Sequence, residues 1–148
     1  MGGINMATRG FLRTLDRTHA GNLVLIADDN VDTQAVLGIL LRGVGFQTVT
    51  AYDGEEAVNL AAQIQPDLVL MDIALPRLDG FAAARRIRGI DGLEHVPIVG
   101  CSAYEPEEDD ETMQTQLNAF LRKPTDFSTL LTVMDHLLEQ PLAASLTG

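Results

Sequence analysis

Leu68–Met71, four apolar residues in a row, constrains this chain more than any other stretch. It is bracketed by Pro66-Asp67 and Pro76, which leaves no room for a helix. An unbroken run of this length reads as a strand buried on both faces, as in a parallel sheet covered by helices. Asp72 follows immediately. Ligands of open α/β sheets bind at the C-terminal ends of strands, so a carboxylate there needs a partner or a chemical role.

The same pattern recurs along the chain. Leu23–Ala27 is a second apolar run and ends in Asp28-Asp29-Asn30. Phe46–Ala51 is a third, Val96–Cys101 ends at Ser102, and Ala119–Leu121 leads into Lys123-Pro124. Between the runs the period changes to that of helices. Val36, Leu37, Leu40 and Leu41 mark an inward face that stops at Gly43. Asp53 with Glu56 forms a capping box for a helix whose inward face is Ala57, Leu60, Ala61 and Ile64. Helices are also expected over Gly80–Arg88, over the acidic and weakly amphipathic Pro106–Leu117, and over Asp126–Glu139.

Five alternations of strand and helix imply a doubly wound α/β fold. Its five-stranded parallel sheet would have right-handed crossovers and helices on both faces. The expected organisation is one domain over residues 22–140, after a disordered or loosely helical leader (1–21) and before a tail (141–148). Gly43-Val44-Gly45 follows a helix rather than a strand, so it reads as a helix stop and not a dinucleotide loop.

Composition excludes several classes of function. The net charge is −11, and phosphates of nucleic acid or anionic lipid would be repelled. No apolar run is long enough to span a membrane, and no secretory signal is evident. Cys101 is the single cysteine, so no internal disulfide can form, which suits a reducing cytoplasm. The charge is uneven. Residues 1–20 hold Arg9, Arg13 and Arg17 against Asp16, leaving seven basic and twenty acidic side chains, net −13, for the remainder.

The strand ends would bring Asp28, Asp29, Asp72, Ser102 and Lys123 to one edge of the sheet. Two carboxylates about 5 Å apart repel by roughly 3 kcal/mol at an effective dielectric near 20. Lys123 alone does not offset three of them, and a hard divalent cation would. Mg²⁺ (or Mn²⁺) suits an all-oxygen donor set, and no His or Cys lies at zinc-ligand spacing. With its charge offset, Asp72 could act as a carboxylate nucleophile and form an aspartyl phosphate. Lys123 would then stabilise the phosphoryl oxygens, and Ser102 would donate to one of them. The bland alternative makes Asp28-Asp29 a helix cap and the acidic run 105–111 a solvated first turn.

Residues 23–30 (LVLIADDN), 67–80 (DLVLMDIALPRLDG), 97–103 (PIVGCSA) and 120–124 (FLRKP) together resemble the response-regulator receiver domain of two-component signalling, in the CheY-like superfamily. The resemblance covers about Leu23 to Glu139. It implies a flavodoxin-like (βα)5 fold with strand order 2-1-3-4-5. It implies Asp72 as phosphoacceptor, and Asp28, Asp29, Asp72 and the Ala74 backbone carbonyl as the metal site. Lys123 is implied as the catalytic lysine, with Ser102 and Phe120 as the switch pair. The implied partners are a histidine kinase or histidine phosphotransfer protein and a downstream protein, with neither nucleic acid nor membrane engaged.

The expected function is that of a single-domain receiver, phosphorylated at Asp72 with Mg²⁺, that switches a protein-binding surface and is not a turnover enzyme. Alternatives are a phosphorelay intermediate, a constitutive interaction module, and a small Mg²⁺-dependent phosphohydrolase. The last is opposed by Ala74, where such enzymes place a second carboxylate. Gln116-Leu117 departs from the family's Gly-Ala step before the final strand.

Overall fold

A computed structural model describes residues 21–103 and 116–147, with side chains through Glu139. The elements in chain order are β1 (Leu23–Ala27), α1 (Val31–Gly43), β2 (Gln47–Ala51), α2 (Gly54–Ile64) and β3 (Leu68–Asp72). They continue with α3 (Gly80–Arg88), β4 (Ile98–Ser102), β5 (Ala119–Arg122) and α4 (Phe127–Thr147). The strands form one parallel sheet in the order β2-β1-β3-β4-β5, the flavodoxin-like arrangement. The helix expected over Pro106–Leu117 falls almost wholly outside the described residues, as do the leader and Gly148. α4 runs past Glu139, where the apolar spacing placed its end, into the stretch expected as a tail.

Side chains alternate across each strand and so build two cores. Leu25, Ala27, Val69, Met71 and Ile98 face α2 and α3, meeting Ala57, Ala61, Ala83, Ala84 and Ile87. Val24, Ile26, Leu68, Leu70 and Val99 face α1 and α4, meeting Leu41, Leu130, Met134 and Leu137. β3 lies mid-sheet, and all five of its residues are buried, as its continuous apolar run requires. The Asp53 cap forms, with the return bond from Glu56 reaching one residue before the N-cap. Asp53 Oδ1 accepts from the Glu56 N–H (2.8 Å), and Glu56 Oε1 accepts from the Tyr52 N–H (2.7 Å).

Two local expectations are corrected. Val36 and Leu40 of α1, read as inward, are exposed, while Gln34 and Gly38 are buried. α1 is apolar around most of its circumference, so spacing alone leaves its rotation open, and contact with the sheet selects Leu41, Gly38 and Gln34. β2 starts at Gln47, because the Phe46 N–H closes the helix end onto the Leu41 carbonyl (3.1 Å).

The atypical Gln116-Leu117 step is accommodated from across the sheet. A Cβ on Gly100 would lie 2.6 Å from Leu117 Cδ1, 3.2 Å from Ile73 Cδ1 and 3.3 Å from Phe120 Cδ2. Gly100 therefore provides the space that Leu117 occupies. Gly100→Ala should cost roughly 1–3 kcal/mol by overpacking, and Leu117→Ala in the same chain should return part of it. Urea denaturation of the two single variants and the double variant measures this, and strictly additive losses would refute the pairing.

Arg88 locks the same region. Its guanidinium donates to the carbonyls of Glu94 (3.3 Å), Val96 (2.6 Å) and Gln116 (3.1 Å) and to Asn118 Oδ1 (2.5 Å). Asn118 Oδ1 also accepts from the Ile98 N–H (2.8 Å), so the starts of β4 and β5 are tied to the end of α3.

Candidate functional site

β1 delivers Asp28 to the C-terminal edge of the sheet, where its N–H donates to the Ala51 carbonyl (3.0 Å). The cap of α1 is Asn30, whose side chain accepts from the Thr33 N–H (2.9 Å). Neither aspartate serves as that cap. Asp28 Oδ1 instead accepts from the Asn30 N–H (2.9 Å), and its Oδ2 accepts from the Lys123 ammonium (2.8 Å).

β3 delivers Asp72. Its Oδ1 accepts from the Ala74 N–H (3.0 Å), and its Oδ2 accepts from the same ammonium (3.1 Å). Lys123 thus bridges two carboxylates that are themselves buried, with Asp28 at 5% and Asp72 at 9% exposure. Asp29 is exposed at the rim, and one oxygen from each of Asp28, Asp29 and Asp72 lies within 4.8 Å of the others.

This donor set fits a hard divalent cation. It offers only oxygen, carries three negative charges against one positive, and is open to solvent on the Asp29 side. Burial by itself would lower the basicity of Lys123. The hydrogen bond and charge of Asp28, then those of Asp72, outweigh it and raise the ammonium above its ordinary range. Burial pushes the neighbouring Cys101 thiol up to about 12; Lys123 opposes this while Asp72 and Asp28 add to it.

The other expected positions adjoin this centre. Ser102 is buried at the end of β4, one residue beyond the Asp72–Cys101 pair, and its carbonyl accepts from the Lys123 N–H (2.7 Å). Ala74 is exposed and meets Asp72 through its N–H. Phe120 sits deeper, pairing with Gly100 and half-buried against the α2/α3 core. A cleft of about 350 Å³ opens beside Asp28, Asp72 and Lys123, with walls that include Val36, Leu37 and Leu40 of α1 and Phe127 and Leu130 of α4.

Gln34 was not anticipated. Its Nε2 donates to the carbonyls of Asp28 (2.7 Å) and Ala51 (2.6 Å), joining the ends of β1 and β2 beneath the acidic pair. Both contacts are to acceptors, so the amide orientation is unambiguous. Its place three residues before Leu37 and seven before Leu41, on the arc that faces the sheet, was the available signal. Gln34→Met should destabilise the fold by about 1–3 kcal/mol, because two buried carbonyls lose a donor. A denaturation midpoint equal to wild type would show that water replaces the amide.

Comparisons with known proteins bear on the family and the fold. Residues 24–135 match the response regulator receiver domain family. The polar-differentiation response regulator DivK of Brucella anthropi is 32% identical over 102 residues, covering 68% of this chain and 83% of DivK. Among solved structures, the receiver domain of a sensor histidine kinase from Pseudomonas aeruginosa has magnesium coordinated in its active-site cleft. It superposes with a TM-score of 0.74 at 33% identity, over 80% of this chain and 98% of that one. The Vibrio cholerae chemotaxis protein CheY4 has the same fold, with a TM-score of 0.75 at 24% identity over 80% and 99% of the two chains.

Proposed function

The chain belongs to the response regulator receiver domain family of two-component signalling, and on that footing we propose that Asp72 accepts a phosphoryl group from a partner's phosphohistidine. The observation that carries this reading is the Lys123 ammonium shared between buried Asp28 and Asp72, with Asp29 close by. A carboxylate oxygen of Asp72 attacks phosphorus, the N–P bond breaks, and the imidazole leaves with the electron pair and takes up a proton.

Lys123 and the Ala74 N–H hold one Asp72 oxygen each, which orients the carboxylate before transfer. Lys123 then meets the charge arriving on the phosphoryl oxygens. Asp28, Asp29, Asp72 and the Ala74 carbonyl are the groups that would hold Mg²⁺, or Mn²⁺ with similar oxygen preference. The ion would supply positive charge where phosphoryl and carboxylate charges meet. The Ser102 hydroxyl donates to a phosphoryl oxygen, and Phe120 turns inward beside Gly100, altering a surface that a downstream protein reads. The donor is a histidine kinase or a histidine phosphotransfer protein, and the chemistry is stoichiometric capture rather than turnover.

Beryllofluoride, a phosphoryl mimic, tests this. With Mg²⁺ present the wild-type chain should bind one equivalent, measured by fluorine NMR, and Asp72→Asn should reduce binding to background. Retained binding in Asp72→Asn would remove Asp72 from the acceptor role.

A further inference from the structure

Asp29 is the member of the acidic cluster whose position its own side chain does not secure. One oxygen from each of Asp28, Asp29 and Asp72 lies within 4.8 Å of the others, and like charges that close repel. Asp28 and Asp72 are buried and share the Lys123 ammonium, so an opposite charge holds each in place. The Asp29 carboxylate is exposed at the rim, where repulsion favours its turning toward solvent. Its place beside the other two therefore rests on its backbone.

That backbone is pinned on both sides. The Asp28 carbonyl, in the peptide that enters Asp29, accepts from Gln34 Nε2 (2.7 Å). The Asn30 N–H, in the peptide that leaves it, donates to Asp28 Oδ1 (2.9 Å). Gln34 Nε2 also donates to the Ala51 carbonyl (2.6 Å), which accepts in turn from the Asp28 N–H (3.0 Å). The amide is thus tied to β2 as well as β1, and it resists rotation of the Asp28–Asp29 peptide. A side chain of α1 that is only 2% exposed fixes the direction in which Asp29 leaves the strand.

In other respects Gln34 suits its surroundings poorly. Its Oε1 is buried and has no hydrogen-bond partner among the described residues. An orphaned acceptor costs stability, and an apolar side chain of similar shape would avoid that cost. What the amide supplies, and such a side chain could not, is its pair of donated bonds.

We infer, on the reading of the acidic cluster as a Mg²⁺ or Mn²⁺ site, that Gln34 is a positioning residue for the cation. By holding the Asp28–Asp29 peptide it keeps the exposed Asp29 carboxylate beside those of Asp28 and Asp72. Gln34 touches neither the ion nor a phosphoryl group. It acts by reducing the rearrangement that binding the ion would otherwise require.

Titration of the full chain with Mn²⁺, the free ion being measured by electron paramagnetic resonance, tests this. Wild type should bind one ion, and Gln34→Met should bind it about tenfold more weakly. Leu41→Ala is the control for lost stability. Leu41 is fully buried on the same helix about two turns further along, and its truncation costs the fold no less. At a temperature where circular dichroism shows all three chains folded, Leu41→Ala should keep the wild-type affinity. In the wild-type chain the side-chain amide resonances of Gln34 should shift as Mg²⁺ is added, a measurement that needs no variant to fold. Equal affinity in Gln34→Met and wild type, or an equal loss in Leu41→Ala, would overturn the inference alone. So would Gln34 resonances that stay put while the Asp29 backbone amide moves. A wild-type chain that binds no Mn²⁺ would instead overturn the reading of the cluster, and the inference with it.

Discussion

Gly80→Ala is expected to lower the melting temperature by about 10 °C or more and to impair beryllofluoride capture by whatever protein still folds. A Cβ at this position would sit 2.4 Å from the Asp72 carbonyl oxygen and 2.6 Å from Ile73 Cα. Both are backbone atoms, so no side-chain rotation relieves the overlap. The Gly80 N–H also donates to the Ile73 carbonyl (2.8 Å), which pins the first turn of α3 against the end of β3. Either α3 lifts away, exposing Ala83, Ala84 and Ile87, or the peptide between Asp72 and Ile73 shifts. Both outcomes are costly. Overpacking against backbone puts the loss at roughly 3 kcal/mol.

Gly43→Ala is the control, because a Cβ there meets nothing within 4 Å and the position is helical. It should leave stability unchanged or slightly raise it. Differential scanning calorimetry of both variants decides the matter, and a Gly80→Ala protein melting with wild type would mean that the contact relaxes at no cost.

Lys123→Met is expected to destabilise the metal-free chain by about 2 kcal/mol and to lose much of that deficit when Mg²⁺ is added. The Asp28 and Asp72 side chains are 7% and 11% exposed and share this ammonium as a counterion. Removing it leaves two buried carboxylates facing each other. The usual cost of breaking a buried pair is about 3–5 kcal/mol, reduced here because the lysine itself is a third exposed. A divalent cation at the three carboxylates would resupply positive charge, and Asp72→Asn removes one of the opposing anions. Either change should therefore rescue Lys123→Met.

The pH dependence follows from the direction of the lysine's shift. Its folded pKa lies above the unfolded value of about 10.4, so its stabilisation is complete below that value and disappears as pH rises through the folded one. The stability difference between wild type and Lys123→Met should be flat from neutrality to about pH 10 and shrink above it. A deficit that Mg²⁺ leaves untouched would show that the lysine contributes packing rather than charge.

Several elements were legible because their signal is local. β3 needs no more than Leu68–Met71 between two prolines, and Asp53 with Glu56 declares the start of α2. Asp28, Asp29, Asp72, Ser102 and Lys123 share one feature readable from order alone: each ends or just follows an apolar run. Parallel strands place such ends on one edge, so their convergence follows from the alternation of strands and helices.

Other features depend on contacts with no local trace. The rotation of α1, which leaves Val36 and Leu40 exposed, has no signal in their spacing because the helix's apolar residues nearly encircle it. The space for Leu117 comes from Gly100, on a different strand. The four acceptors of Arg88 lie between six and thirty residues away in sequence.

The periods, the sheet and the residue types at its C-terminal edge follow from chain order, because period and composition are properties of neighbours in the chain. Which side of α1 is dry, and the sharing of one ammonium by Asp28 and Asp72, came only with the folded chain. Those outcomes depend on distances between residues up to 95 positions apart, and such distances exist only once the sheet has formed.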